Sequence, residues 1–331
     1  MRGLARLVLA ATLVLSAGCG DARSSALRPQ SSAGEDIARL WWLMLGLGAA
    51  VAVLVIGLLL RTARSSRRPD DEDGNRSGDG QRWIVLGGVV LPVVVLLPLS
   101  LVVVRTGARV AAPPPEDALV VDVVGHQYWW EIRYPESGAA VTANEMHIPV
   151  GRAVDLRLTT DDVIHSFWVP PLHGKVDMIP GEETRLTLNA DEAGTYQGVC
   201  AEFCGLQHAN MRFLVVAEEP DEFARWLGRQ AVDAPSPPSP EAAAGQDAFL
   251  ATGCASCHTV RGTEADGQVG PDLTHFASRQ TLGSGVVENN RGNLGGWIAD
   301  PQGIKPGSTM PPSVLDPDEL LGLIAYLEAL E

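Results

Sequence analysis

Two stretches of this chain carry no charge at all, Leu40 to Leu60 and Trp83 to Val104. As helices, each is long enough to cross the roughly 30 Å of hydrocarbon in a bilayer. The pattern predicts a transmembrane hairpin over 37–105, with helices near 40–60 and 83–104. Arg61, Arg64, Arg67 and Arg68 crowd its connection. Short basic loops stay cytoplasmic, so both ends of the hairpin face outward. Pro92 and Pro98 would break a soluble helix, but neighbouring membrane helices can satisfy the freed carbonyls, which hints at a partner subunit. Beyond Pro113-Pro114-Pro115 the period changes to short alternating segments: Ala118–Val124, Ala153–Thr159, Thr184–Asn189, Thr195–Cys200 and Met211–Ala217. That alternation predicts an all-β sandwich over 116–218. Over 219–240, a short helix (Asp221–Gln230) leads into the proline-rich spacer Ala234 to Pro240, whose composition predicts a semi-rigid tether. The remainder, 241–331, opens with a helical segment (Glu241–Thr252) and closes with another (Pro317–Leu330), predicting an all-α domain.

At 331 residues the chain has room for two soluble domains besides the hairpin. Its formal net charge of −15 excludes a general nucleic-acid binder, because phosphate neutralisation needs a basic surface. The imbalance is shared. Residues 116–218 hold 16 acidic and 6 basic side chains, a net of −10, and residues 241–331 hold 12 and 4, a net of −8. Acidic surfaces steer basic partners, although solubility alone also favours them.

The amino terminus is built for export. Arg2 and Arg6 precede the apolar run Leu7–Leu15, and Ser16-Ala17-Gly18-Cys19 follows. The small residues ending in cysteine resemble a bacterial lipoprotein cleavage site, which would make Cys19 the lipidated first residue of the mature chain. Serine stands where leucine is usual three places before the cysteine, and a plain signal peptide over 1–19 is the other reading.

The densest chemistry lies between Cys200 and Met211, where Cys200, Cys204, His208 and Met211 fall within twelve residues, with His165 upstream. Soft sulfur with imidazole suits copper better than magnesium or calcium. A second cysteine exceeds the needs of a mononuclear blue site, and two thiolates can bridge a pair of copper ions. Taken alone, Cys200 and Cys204 also suit a disulfide, or zinc with the two histidines.

The run Cys-x-Glu-x-Cys-x-x-x-His-x-x-Met resembles the dinuclear copper motif of cytochrome oxidase subunit II. The likeness extends through His165-Ser166-Phe167-Trp168-Val169-Pro170, Lys175, Asp177, Pro180-Gly181 and Gly125-His126-Gln127-Tyr128-Trp129-Trp130, and takes in the hairpin, covering about 40–218. It implies a cupredoxin Greek-key sandwich. The side-chain ligands of the copper A pair would be His165, Cys200, Cys204, His208 and Met211, and Glu202 would add its backbone carbonyl. The Glu202 carboxylate, with Asp177 nearby, would face magnesium or manganese at the interface with subunit I. Tyr128, Trp129 and Trp130 would form the electron-entry patch. Two positions depart from the family pattern: Tyr128 stands where members often carry the entry tryptophan, and Asp79-Gly80-Gln81-Arg82 lacks the glutamate often found before the tryptophan of the second membrane helix.

Cys254-Ala255-Ser256-Cys257-His258 is a specific signal for covalent heme c, two thiols for the vinyl groups and an adjacent histidine for the iron. Gly270-Pro271-Asp272-Leu273 resembles the loop that braces the proximal histidine of class I cytochromes c, and Met310 stands where that family carries its distal thioether. His275 is the alternative sixth ligand and is expected instead at the surface. His126, His147 and His173 have no required role. Every cysteine thus has a use, and none remains for a disulfide.

Two one-electron sites without an open coordination position describe a relay, with no oxygen-reducing site of its own. The resemblance implies subunit II of a respiratory heme–copper cytochrome c oxidase in the bacterial plasma membrane, multi-pass, its copper and heme domains on the outer face. Its partners would be subunit I, where heme a and copper B reduce oxygen to water with proton pumping, subunit III, and cytochrome c or another upstream donor. The alternative is the electron-entry subunit of a copper-containing nitric oxide reductase.

Overall fold

The computed structural model describes residues 24–65, 77–138 and 140–331. Cys19 and the export segment, together with Arg67 and Arg68, lie outside the described residues. The chain forms two units, one of residues 32–113 and one containing the soluble domains.

The first unit is the hairpin: α1 (Ser32–Ser65), α2 (Ser77–Val85), a π-helical turn (Leu86–Val90) and α3 (Leu91–Val110). Both limbs are long and apolar enough to cross a membrane. The helices outrun the uncharged stretches at both ends, since polar residues continue a helix where they pair, as Glu35 and Arg39 do one turn apart in α1. Pro92 falls in the first turn of α3, directly after the π turn at Gly87-Gly88. Such a turn locally releases the hydrogen-bond ladder that a proline cannot join, while Pro98 remains inside α3. Asp36 near the start of α1 lies 4.0 Å from Arg109 near the end of α3, so the two limbs run antiparallel.

In the second unit, residues 119–218 form two five-stranded sheets. One has the order β3 (Ala140–Ala143), β2 (Trp129–Tyr134), β1 (Leu119–His126), β5 (Val154–Thr160), β8 (Thr184–Leu188); the other runs β4 (Glu145–Pro149), β10 (Arg212–Glu218), β9 (Gly194–Cys200), β6 (His165–Trp168), β7 (Val176–Met178). Only β1 with β5 and β4 with β10 are parallel among these pairs, the mark of strands that cross between sheets in a Greek-key sandwich. The five expected strands are present. The other five are shorter or aromatic, and β2 coincides with the Trp129-Trp130 segment. Val121, Leu156, Phe167 and Phe213 fill the core, with Trp130 fully buried among them. The Phe213 ring lies on Gly198, where a Cβ would sit 2.1 Å from it, so a glycine in mid-strand gives the ring its seat. Helix α4 (Pro220–Gln230) closes one edge through Trp226, 5.3 Å from the Tyr134 ring.

Residues 240–331 are mainly helical: α5 (Pro240–Ala251), α6 (Arg291–Ala299), α7 (Pro301–Ile304) and α8 (Pro317–Glu328), with a two-stranded hairpin of β11 (Thr281–Leu282) and β12 (Val287–Glu288). Glycines at 292, 295 and 296 blur the apolar period of α6, which the sequence pattern does not reveal. Helices α5 and α8 touch backbone to backbone at Gly245 and Gly322. Leu323, Ile324 and Leu327 of α8 are buried beside the crossing, and Ala277 N–H donates to Leu330 O at 2.8 Å, which fastens the last residues to the domain.

The spacer is not a free tether. Ala234 N–H donates to Arg261 O at 3.0 Å, and the Arg261 guanidinium donates to Val232 O at 3.0 Å, laying the segment along the helical domain. His275, expected at the surface, is buried: its Nδ1 lies 2.6 Å from Glu331 O and its Nε2 3.0 Å from Val232 O. Both ring nitrogens face carbonyl oxygens, which removes His275 as a candidate heme ligand.

A Cβ at position 245 would lie 1.9 Å from Gly322 O, so Gly245→Ala must push the helices apart. The expected cost is about 1–3 kcal/mol, read as a lowered unfolding midpoint of the helical domain by circular dichroism.

Candidate metal centre and heme pocket

Strands β9 and β10 pair antiparallel with Val199 opposite Arg212, so the loop between them leaves and returns at one point. Cys200 N–H donates to Met211 O at 3.0 Å, closing the neck. Inside the loop, Cys200 Sγ lies 3.8 Å from Cys204 Sγ and 3.1 Å from Glu202 O. Cys204 Sγ lies 3.7 Å from His208 Nδ1 and 3.7 Å from Met211 Sδ. Strand β6, paired with β9, brings His165 Nδ1 to 3.8 Å from Cys200 Sγ.

The four other groups anticipated as donors therefore gather about the two thiol sulfurs. Two donors on one tetrahedral ion, each bonded at about 2.3 Å, stand about 3.8 Å apart, so the spacing fits shared metal. A disulfide would need about 2.05 Å, and both thiols are free. One zinc tetrahedron would use four donors, whereas two thiols, two imidazoles, a thioether and a carbonyl fit a copper pair. Among the described residues, His165, Cys200 and Cys204 are the one such cluster of His, Cys and carboxylate donors, and all three are buried.

Without metal, one thiol of the pair is favoured as thiolate while its partner keeps a proton that metal binding would displace. The hydrogen bond from Cys204, followed by that from His165, holds Cys200 far below the ordinary thiol value despite burial, and the same partnership with burial pushes Cys204 up. Burial lowers the His165 pKa, but hydrogen bonds with Cys200 and Asp162 outweigh it and leave a net rise. Asp162 Oδ1 sits 2.8 Å from His165 Nε2, fixing the ring with Nδ1 toward the sulfurs. Gly125 lies against the same ring, where a Cβ would come within 3.0 Å. Gln127 donates from its backbone to Asp162 and from its side chain to Cys204 O. Residue types alone do not pick out Asp162; its position three residues before His165, in a turn, is the one signal the sequence offers.

Glu202, half exposed, turns its carboxylate toward Lys175, 3.9 Å away. Asp177 is exposed on β7, opposite Ser166.

The heme motif follows α5. Gly253, at φ +91°, ends that helix in a left-handed conformation, and Cys254–Ser256 form one 3₁₀ turn. Cys254, Cys257, His258 and Met310 line a single cavity of about 420 Å³. His258 Nδ1 donates to Pro271 O at 2.8 Å, leaving Nε2 as the ring's lone-pair nitrogen, and burial keeps its pKa low, favouring the neutral ligating form. Gly270 is required there, because a Cβ would come within 2.6 Å of the ring. Gln302 Nε2 donates to Ser308 O and Met310 O, both at 2.9 Å, which steadies the Met310 loop. The residues fit a covalent heme held between His258 and Met310.

The sandwich supplies part of that cavity's wall through Tyr128, Trp129 and Asn144. Tyr128 Oη accepts from Leu206 N at 3.1 Å on the thiol-bearing loop. Trp129 is buried and stacks on His126 at 4.3 Å, and Trp130 lies fully inside, 6.0 Å from the His165 ring. The aromatic turn is thus covered by the chain's own helical domain. Burial pushes the Glu145 carboxyl up to about 7, although the Gln280 and Thr281 amides donate to it from that domain.

Asp162→Asn should loosen the His165 ring and lower copper affinity by about 10- to 100-fold, measured as copper retained against a competing chelator.

The family model for the periplasmic domain of cytochrome c oxidase subunit II matches residues 139–218, and that for cytochrome c matches residues 242–331. The chain is 34% identical over 329 residues to cytochrome c oxidase subunit 2 of Alkalihalophilus pseudofirmus, covering 97% of this chain and 94% of that one. It is 32% identical over 348 residues to the Bacillus subtilis protein of that description, covering 98% and 97%. With both site geometries and near full-length similarity in agreement, the chain belongs to the cytochrome c oxidase subunit II family, in a form that carries a cytochrome c domain at its carboxyl end.

Proposed function

We propose that this chain is the electron-entry subunit of a heme–copper cytochrome c oxidase, taking up electrons at the Cys254, Cys257, His258 and Met310 site and delivering them from the Cys200–Met211 loop to subunit I. When bound, heme c and a copper A pair each accept and release one electron. Cys200, Cys204, His165, His208, Met211 and the Glu202 carbonyl would hold the copper; Cys254 and Cys257 would anchor the heme, and His258 and Met310 would supply ligands to its iron. The observation that carries the order is the shared wall, with Tyr128 lining the heme cavity while its hydroxyl meets the copper-binding loop.

Low reorganisation supports the relay. Donors locked by Asp162, Pro271 and Gln302 move little when charge changes, and buried sites with preset dipoles need little solvent response. The outward-facing side chains of α1 and α3, such as Val53 and Val104, are apolar and suit lipid or a membrane partner. The hairpin would cross the bacterial plasma membrane twice, with both soluble domains outside and Cys19 as a second anchor. Subunit I would bear heme a and copper B, reduce oxygen and pump protons, with subunit III beside it. At the interface with subunit I, Glu202 and Asp177 would hold magnesium or manganese, oxygen donors suiting a hard cation. The relatives' description as cytochrome c oxidase subunit 2 favours oxygen over nitric oxide as the complex's substrate.

Met310→Ala should abolish fast reduction of copper by the external donor in stopped-flow absorption; an unchanged rate would mean direct entry at the aromatic turn. Reduction by a basic soluble cytochrome should slow markedly as ionic strength rises, because both soluble domains are acidic, and a flat response would remove electrostatic steering.

A further inference from the structure

Lys305 is one of four basic residues in a domain with twelve acidic ones, and it is 2% exposed. A lysine buried this deeply is tolerated only when paired. Its Nζ donates to Gly283 O at 2.7 Å in its own domain and to Tyr128 O at 2.8 Å in the cupredoxin sandwich. The residues that follow continue the contact. Pro306 O accepts from the Gln207 side chain at 2.5 Å, and the Cα of Gly307 faces Leu206, whose Cδ1 would stand 3.1 Å from a Cβ there. Gln207 directly precedes His208, and Met310 lies five residues after Lys305. One short loop therefore touches the neighbour of a copper donor at one end and carries the heme's thioether at the other.

We propose that Lys305 is a positioning residue that clasps the cytochrome c domain onto the Tyr128 turn and so fixes the separation of the two electron carriers. The clasp rests on the electron order proposed above and adds to it a fixed geometry. Around Lys305 the interface is made of directional bonds: Arg212 N–H donates to Ser284 O at 3.1 Å, Ser284 Oγ returns to Arg212 O at 2.7 Å, and Thr281 N–H donates to Glu145 Oε1 at 3.1 Å. Such bonds work only in one relative placement of the domains, unlike an apolar patch that tolerates sliding. Lys305 supplies the amine donor at the aromatic turn, where the heme cavity and the copper loop come together.

The test uses the intact oxidase. Lys305→Met keeps the methylene stem and removes the donor. Hydrogen exchange at Arg212, Gln280 and Thr281 should speed up by about 10- to 100-fold, as leaving the Tyr128 carbonyl without its donor predicts. Electron transfer from heme to copper after flash reduction should slow and become dependent on solvent viscosity, while copper content and the near-infrared and heme spectra stay as in the parent. Lys305→Arg should restore most of the protection. Unchanged exchange and an unchanged rate in a fully loaded Lys305→Met oxidase would overturn the proposal. If that variant does not accumulate, the parent decides: Arg212, Gln280 and Thr281 amides must be as protected as the β9–β10 ladder, and free exchange refutes the clasp. Were the electron order itself wrong, Met310→Ala would leave copper reduction at the parent rate, while the exchange pattern of Lys305→Met would still report on the clasp.

Discussion

The antiparallel pairing of β9 with β10 is the constraint on which the metal centre and its contact with the second domain depend. Because Val199 faces Arg212, the chain between Cys200 and Met211 has to turn back on itself, and its ends are bonded together. Thiols four residues apart are thereby held at 3.8 Å without a covalent link. The ladder also decides where β6 lies, and with it His165, and it projects Leu206 and Gln207 toward the second domain. A slip of one residue would turn every side chain of β10 to the opposite face and take Met211 away from the sulfurs.

Much of this is legible from residue types at fixed spacing. Cysteine, histidine and methionine within twelve positions carry their chemistry wherever the backbone places them, and a cysteine pair followed by histidine does the same for heme. The hairpin is equally visible, since two runs of about twenty apolar residues without a charge give helices long enough to cross a bilayer. Harder to read are features that arise only from packing. Strand β2 hides behind tryptophans that look like surface groups, although Trp130 belongs to the core. His275 has the composition of a surface loop around it, but the carboxyl terminus and the segment leading into the spacer close over it. Asp162 matters through the ring it orients, which a lone aspartate in a turn does not announce.

The proline-rich spacer shows the limit of composition most clearly. Proline and serine predict reach and stiffness, and a tether of that kind would hold the cytochrome c domain nearby without orienting it. The folded chain replaces that statistical nearness with bonds from Glu145, Arg212 and Tyr128 to the second domain. Such contacts join residues more than seventy positions apart, and no local pattern encodes them.

The crossing of α5 with α8 ties the two heme-motif thiols to a distant contact. The helix that leads into Cys254 and Cys257 is seated on α8 through two facing glycines, and Leu330, just past α8, is fastened to Ala277 by a main-chain bond. How firmly that cysteine pair is held is therefore governed by packing that involves no sulfur, so a single methyl group at the crossing reaches the thiols through the backbone alone.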